Sequence, residues 1–249
     1  MRPKLSIVIP TLNEEHYLPL LLEDLTLQSE IDFEVIVVDA QSKDNTKKAA
    51  LKYDKKLDLR FVDSPKKQVA FQRNYGAKQA KGNYIFFIDA DTRIKNDVIQ
   101  KIVTLIEKEK KLLYLPIIKP STPSLFYKFV FASSINFVKL AQLLGRPLSI
   151  GPLIVIENKF FHKIGGFDEK IAIAEDHNLI IKAHQNGVKA RIIDDISCYF
   201  SMRRFENDGP WTIGWQYIRY TGITLAKGGV QKPLAQYEQG GQRYTNTKS

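Results

Sequence analysis

The chain has 249 residues, 44% hydrophobic and 26% charged, with a formal net charge of +10 and a single cysteine. That length can bury a real core as one large α/β domain or two small ones, and a lone Cys198 excludes a disulfide framework and a multi-cysteine zinc site. No window reaches the roughly 18 uninterrupted apolar residues of a membrane span, and the positive charge makes nucleic acid, anionic lipid and phosphorylated substrates the partners to weigh.

Leu5–Ile9 reads as a strand. Met1-Arg2-Pro3-Lys4 is basic like the start of a signal peptide, but the apolar stretch behind it is too short for one. Asn13 is placed to cap a helix whose Leu18, Leu21, Leu22 and Leu25 follow helical spacing. Phe33–Val38 is the next strand and ends in Asp39; a helix follows around Asn45–Tyr53, then a short strand at Leu59–Val62. A helix spans roughly Gln68–Ala80 with Gly82 as its expected C-terminal cap. The strand Tyr84–Ile88 then runs into Asp89-Ala90-Asp91, and a helix carries Val98, Ile99, Ile102, Leu105 and Ile106 on one face. This alternation predicts a largely parallel sheet with right-handed crossovers.

The second half is less regular. Leu112–Ile118, Leu153–Ile156 and Lys189–Ile193 read as strands, Lys159–Ile164 as a short helix, and Glu175 to Gly187 as a longer one. Between the first two strands, Ser124–Gly145 is amphipathic: it either packs on the sheet or forms a surface helix facing lipid or acceptor. No repeat or linker appears, which predicts one domain over residues 1–230 and a polar tail over 231–249. The lysines are scattered over predicted helix faces without a zinc-finger, RRM or basic-zipper pattern, so a solvated surface is expected rather than nucleic-acid binding.

Acidic residues mark three candidate positions. Asp39 and the Asp89/Asp91 pair end parallel strands, which brings them to one edge of the sheet, where open α/β folds bind ligands. Two carboxylates one residue apart suit a hard cation such as Mg²⁺ or Mn²⁺ beside a diphosphate. They equally suit a strand-to-helix turn in which Asp91, Thr92 or Asn96 caps the next helix. Glu175-Asp176 opens a helix, as general base or as charge complementing the helix dipole. There is no G-x-G-x-x-G or Walker loop, so Arg73 and the pair Arg203-Arg204 are the candidates to meet phosphate charge. The absence of a G-x-S-x-G elbow disfavours a serine hydrolase.

In order, Ser6–Glu15 (SIVIPTLNEE), Glu34–Thr46 (EVIVVDAQSKDNT), Gln72–Ala77 (QRNYGA), Gly82–Asp91 (GNYIFFIDAD), Ile164–Glu169 (IGGFDE) and Glu175-Asp176 resemble the family 2 inverting glycosyltransferases of the GT-A fold. The resemblance implies a metal-dependent transfer of sugar from a nucleotide-diphosphate donor, with a donor half over about 1–118 and an acceptor half over about 119–230. By it Pro10, Thr11 and Glu14 line the nucleotide pocket, Asp39 meets the base, Arg73 lies near the donor and Asp89 faces ribose or sugar. Asp91 would hold Mg²⁺ or Mn²⁺ on the diphosphate, and Asp176 would be the catalytic base. Two departures stand out. Ala40 replaces the common second acidic residue after Asp39, and Ser201-Met202-Arg203-Arg204-Phe205 only resembles the Q-x-x-R-W element, with Arg204 expected at the diphosphate. The expected acceptor is a glycan or lipid-linked glycan, met in the cytoplasm or at an anionic inner membrane face. The rival readings are a non-catalytic nucleotide-sugar-binding protein of this fold and a nucleotidyltransferase.

Overall fold

The computed structural model of the protein describes residues 3–209 and positions 212, 215, 216, 219, 222 and 223, without the side chain of Arg204. The tail 231–249 and Arg204 as a diphosphate ligand therefore lie outside what it describes. Four strands run parallel: β1 (Leu5–Thr11), β2 (Phe33–Asp39), β3 (Leu59–Asp63) and β4 (Tyr84–Phe87). Beyond β4 come β7 (Ile154–Glu157), β6 (Leu113–Pro120), β8 (Arg191–Phe200) and β5 (Thr92–Ile94), completing one eight-stranded sheet in the order β3-β2-β1-β4-β7-β6-β8-β5. β7 is antiparallel to both β4 and β6, β8 is parallel to β6, and β5 is antiparallel to β8. The sheet is mixed and mostly parallel.

All seven residues of β1 and of β2 are buried, as near-continuous apolar strands covered on both faces must be. Side chains alternate between two cores. Leu5, Ile7 and Ile9 of β1 join Val35 and Val37 of β2 under α1 (Leu18–Thr26) and α4 (Val98–Glu109). Val8, Ile36 and Val38 face the other layer, built from α3 (Val69–Gln79), α5 (Leu125–Leu143), α6 (Asn158–Lys163) and α7 (Glu175–Gln185). Gly76 of α3 lets that helix approach the sheet: a Cβ there would stand 2.5 Å from Val8 Cγ1 and 2.9 Å from Val38 Cγ2.

Four expectations need correction. Asn13 does not cap α1, which starts at Leu18 after Tyr17. Instead Asn13 adopts a left-handed conformation, and its Oδ1 accepts from Lys43 N at 2.8 Å, so its side chain ties two loops together. Gly82 does not cap α3, which ends at Ala80 in an extended conformation; a Cβ at Gly82 would lie 2.6 Å from Ser6 N, so the glycine is there for close passage over β1. No helix follows Asp91 directly. The chain instead forms β5, held by Arg93, whose Nε and Nη2 donate to Asp24 of α1 at 2.6 and 2.7 Å. Finally, β8 runs seven residues beyond Ile193, because a register shift opposite Pro116/Ile117 absorbs the polar Asp194-Asp195 step and lets Ser197–Phe200 pair again.

Candidate functional site

The carboxyl ends of β1, β2 and β4 share one edge, and the loops leaving them are bonded to one another. Thr11 Oγ1 donates to Asp39 Oδ1 at 3.1 Å, and Ser42 donates to the same carboxylate from its N (2.8 Å, to Oδ2) and its Oγ (2.5 Å, to Oδ1). Asp39 is buried and holds the β2–α2 turn, in which α2 spans Thr46–Ala50. Asn13 N donates to Ser42 Oγ and Glu14 N to Thr46 Oγ1, both at 2.8 Å, so the first loop is clamped to the second. Pro10 and Thr11 sit at the end of β1, paired with Val38 and Asp39.

Gln72-Arg73-Asn74 on α3 connects this edge to three other places. Gln72 Nε2 donates to the carbonyls of Thr11 (2.9 Å) and Val38 (2.7 Å), bridging β1 and β2 where they part. Asn74 exchanges hydrogen bonds with Phe167, Oδ1 accepting from its N and Nδ2 donating to its carbonyl, both at 2.9 Å. Between them Arg73 is only 2% exposed. It donates from Nη2 to Asp89 Oδ1 at 2.8 Å and from Nη1 to Glu175 Oε1 at 2.6 Å, with Phe167 beneath its guanidinium. Burial works against the Arg73 charge, but Asp89 and Glu175 outweigh it and hold the group above its ordinary value. Arg73 thus joins the β4 turn to the start of α7.

Asp89-Ala90-Asp91 is a turn, with Thr92 N donating to Asp89 O at 3.1 Å. Neither carboxylate caps α4, whose N-terminal residue Asp97 makes no side-chain cap. Each instead faces an arginine. Asp91 Oδ2 lies 3.2 Å from Nη2 of Arg203, which belongs to α8 (Arg203–Asp208). The same guanidinium grips Glu14 with both terminal nitrogens, Nη1 to Oε2 at 2.9 Å and Nη2 to Oε1 at 2.6 Å, and lies over Tyr17. Of the Arg203-Arg204 pair, Arg203 reaches these carboxylates, and six residues of α8 are too few to fix its helical phase from sequence.

Burial is the largest influence on Glu14 and raises its carboxyl from 4.5 to about 7, with Arg203 opposing and Asp91 and Asp89 adding to the rise. Native Glu14 therefore binds a proton between these values where the unfolded chain does not. Its contribution to stability is full below about pH 4.5 and lost as pH rises through 7. Glu14→Gln should remove this dependence. Chemical unfolding from pH 4.5 to 7 should show wild type losing on the order of 1 kcal/mol per pH unit relative to the variant. Parallel profiles would refute the raised value.

The start of α7 separates two adjacent acids. Glu175 is buried on Arg73, and burial is the main cause raising its carboxyl despite that arginine. Asp176 is half-buried and close enough for its charge to act on both Arg73 and Glu175. Ala174 before them is left-handed, with φ 66°, which turns the chain sharply into the helix. Among the described residues no group of three or more His, Cys, Asp or Glu could hold a metal. Asp91 nevertheless fits a Mg²⁺ or Mn²⁺ bound through one carboxylate: its oxygens are hard donors, and such ions draw their remaining ligands from substrate phosphates and water.

The sequence profile described as glycosyl transferase family 2 matches residues 6–207. The chain is 25% identical over 210 residues to poly(ribitol-phosphate) beta-N-acetylglucosaminyltransferase TarS of Staphylococcus aureus, covering 81% of this chain and 36% of TarS. It is 26% identical over 202 residues to the UDP-Glc:alpha-D-GlcNAc-diphosphoundecaprenol beta-1,3-glucosyltransferase WfgD of Escherichia coli, covering 80% and 76%. Among solved structures, the mannosyltransferase PcManGT of Pyrobaculum calidifontis, in complex with GDP-Man and Mn²⁺, superposes with a TM-score of 0.73 at 20% identity over 92% of this chain and 64% of that one. The chain spans 62% or less of the length of several of its curated relatives.

Proposed function

The chain belongs to glycosyl transferase family 2, and on that premise we propose that it transfers a sugar from a nucleotide-diphosphate donor to an acceptor hydroxyl, inverting the anomeric carbon. The observation that carries this reading is the convergence of Asp89, Asp91, Arg73, Arg203 and the start of α7 beyond the carboxyl end of β4. Residues 1–230 act as one domain, with the donor on the first 118 or so and the acceptor on the rest.

Pro10, Thr11 and Glu14 line the nucleotide pocket. Asp39 Oδ2, which accepts from Ser42 N, has a second lone pair with which to meet the base or ribose. Asp89, held by Arg73, addresses the ribose or sugar. Asp91 would hold Mg²⁺ or Mn²⁺ against the diphosphate, and the ion when bound supplies charge neutralisation for the leaving group. Arg203 adds a cation on the same side, with Arg204 a second candidate. Asp176 takes the proton from the acceptor hydroxyl, and the acceptor oxygen bonds to the anomeric carbon as the bond from that carbon to the diphosphate oxygen breaks. The name of WfgD, which specifies a diphosphoundecaprenol-linked sugar, supports a lipid-linked acceptor; the place of transfer would then be a membrane face, in this proposal the cytoplasmic one.

Nucleotide-sugars with Mn²⁺ or Mg²⁺ provide the test. Release of nucleoside diphosphate supports the reading; release of pyrophosphate would indicate nucleotidyl transfer, and binding without turnover a non-catalytic protein. Donor at a hundred times its Kd should raise Tm by about 5–10 °C. Chelation by EDTA should remove at least half of that rise in the wild type. Asp91→Asn should show the smaller rise with or without chelator. A rise indifferent to both would remove Asp91 from the metal.

A further inference from the structure

Helix α5 leaves an apolar face that the described residues do not cover. Its buried residues are Ile135, Val138 and Ala141, and near its start Tyr127 and Phe131 pack on Phe205 of α8. The opposite face carries Leu125, Phe129, Phe137, Leu140, Leu143 and Leu144, from 51% to 84% exposed. These form an interrupted stripe in one sector of a helix of 19 residues, about 28 Å long, in two groups separated by exposed Ser133 and Asn136. Single exposed apolar residues are ordinary; six large ones on one helix face mark an interaction surface.

Charge identifies the occupant. Lys128 and Lys139 lie about three turns apart on one border of the stripe, and Arg146 follows just past the helix end. The chain has no aspartate or glutamate from Lys110 to Ile156, while Lys110, Lys111, Lys119, Lys128, Lys139 and Arg146 fall in that stretch. Among the described residues, Asp194 pairs with Lys139 at 2.7 Å. A second copy of this face would oppose cations to cations, and residues 224–249 are themselves net basic and poor in large apolar residues, so neither complements it. Phe and Leu on one face with Lys and Arg beside them is the composition of a helix lying in a membrane interface, and no described helix is long and apolar enough to cross one.

We propose that α5 docks this protein onto an anionic lipid bilayer, lying in the interface plane with its Leu/Phe stripe among the acyl chains and Lys128, Lys139 and Arg146 against the headgroups. The inference gives the lipid-linked acceptor a surface to be presented on, and so extends that reading, but its own ground is the exposure and charge of α5. Because Tyr127 and Phe131 pack on Phe205, the docked helix also supports α8, which carries Arg203 into the donor site.

Full-length protein is floated with phosphatidylglycerol/phosphatidylcholine vesicles at low salt. Wild type should rise with the vesicles and be released by salt; Phe129→Glu/Leu143→Glu should cut partitioning at least about tenfold. Lys128→Glu should cut it by roughly fivefold or more. Both variants alter exposed side chains and should keep wild-type nucleotide-sugar binding in free solution. Failure of wild type to float, or flotation unchanged by both variants, would overturn the proposal. So would a concentration-dependent dimer that Phe129→Glu/Leu143→Glu dissolves, which would make the face a contact between copies. Flotation without donor binding would leave the docking surface standing and remove the sugar-transfer reading instead.

Discussion

Asp176→Asn is expected to lower sugar transfer by about 10²–10⁴-fold while donor binding stays within about twofold of wild type. The substitution keeps size and hydrogen-bonding shape but cannot take a proton. The choice between neighbouring acids rests on geometry. Glu175 is buried, and its Oε1 accepts from Arg73 at 2.6 Å. A carboxylate bound and buried in that way cannot open toward an acceptor, whereas Asp176 is half-buried one residue further along the helix. Glu175→Gln should therefore act mainly on stability, through the loss of Arg73's charged partner, with a smaller effect on turnover in the fraction that stays folded. Single-turnover measurement of nucleoside diphosphate release separates the two. Unchanged release by Asp176→Asn would end its assignment as base.

Arg73→Met should be the most destabilising single change at the site, by about 3–5 kcal/mol, because it strands Asp89 and Glu175 without their shared cation in a low-dielectric setting. The loss should depend on pH with a definite sign. Without Arg73 the Glu175 carboxyl, already raised by burial, would rise further, so stability is regained as pH falls toward 4.5 and the gap from wild type is widest above neutrality. Arg73→Lys keeps the charge but not two divergent donors, and should fall between. Denaturant melts at pH 5 and pH 8 check this; a loss under about 1 kcal/mol at pH 8, or one that does not shrink at pH 5, would mean that Arg73 does not hold the two carboxylates together. The fold should survive in Arg73→Lys, so turnover can still be read there.

Much of the donor half is legible because its signals are local. β1, β2 and β4 announce themselves as near-continuous apolar runs, interrupted by Ser6 and Glu34, that lead into Thr11, Asp39 and Asp89, and parallel pairing alone brings those ends to one edge. The sequence of Gln72-Arg73-Asn74 marks a motif but not its duties: three adjacent side chains bond the sheet, the carboxylates and the Phe167 loop respectively. The Arg203-Arg204 pair is legible as two adjacent cations, but that Arg203 grips Glu14 and Asp91 depends on the orientation of α8. β5 and the second half of β8 were missed for a related reason. Three residues, Thr92–Ile94, carry too little pattern, and Asp194-Asp195 breaks the alternation that continues after the register shift.

The sequence by itself determined the alternating α/β layout, the two-layer core around buried strands, and the set of acids from which a donor site is built, because these follow from periodicity and from where apolar runs stop. The tertiary structure decided how those acids are shared out. It fastens Asp39 to the β2–α2 turn, ties Asp89 to Glu175 through one buried arginine, sets Asp91 and Glu14 on Arg203, and leaves Asp176 half-buried. It also decided that α5 uses three buried residues for the core and turns its Leu/Phe stripe outward. The physical reason is the same in each case: a carboxylate's pKa and a leucine's environment depend on which groups approach from distant segments, and no spacing along one segment encodes that.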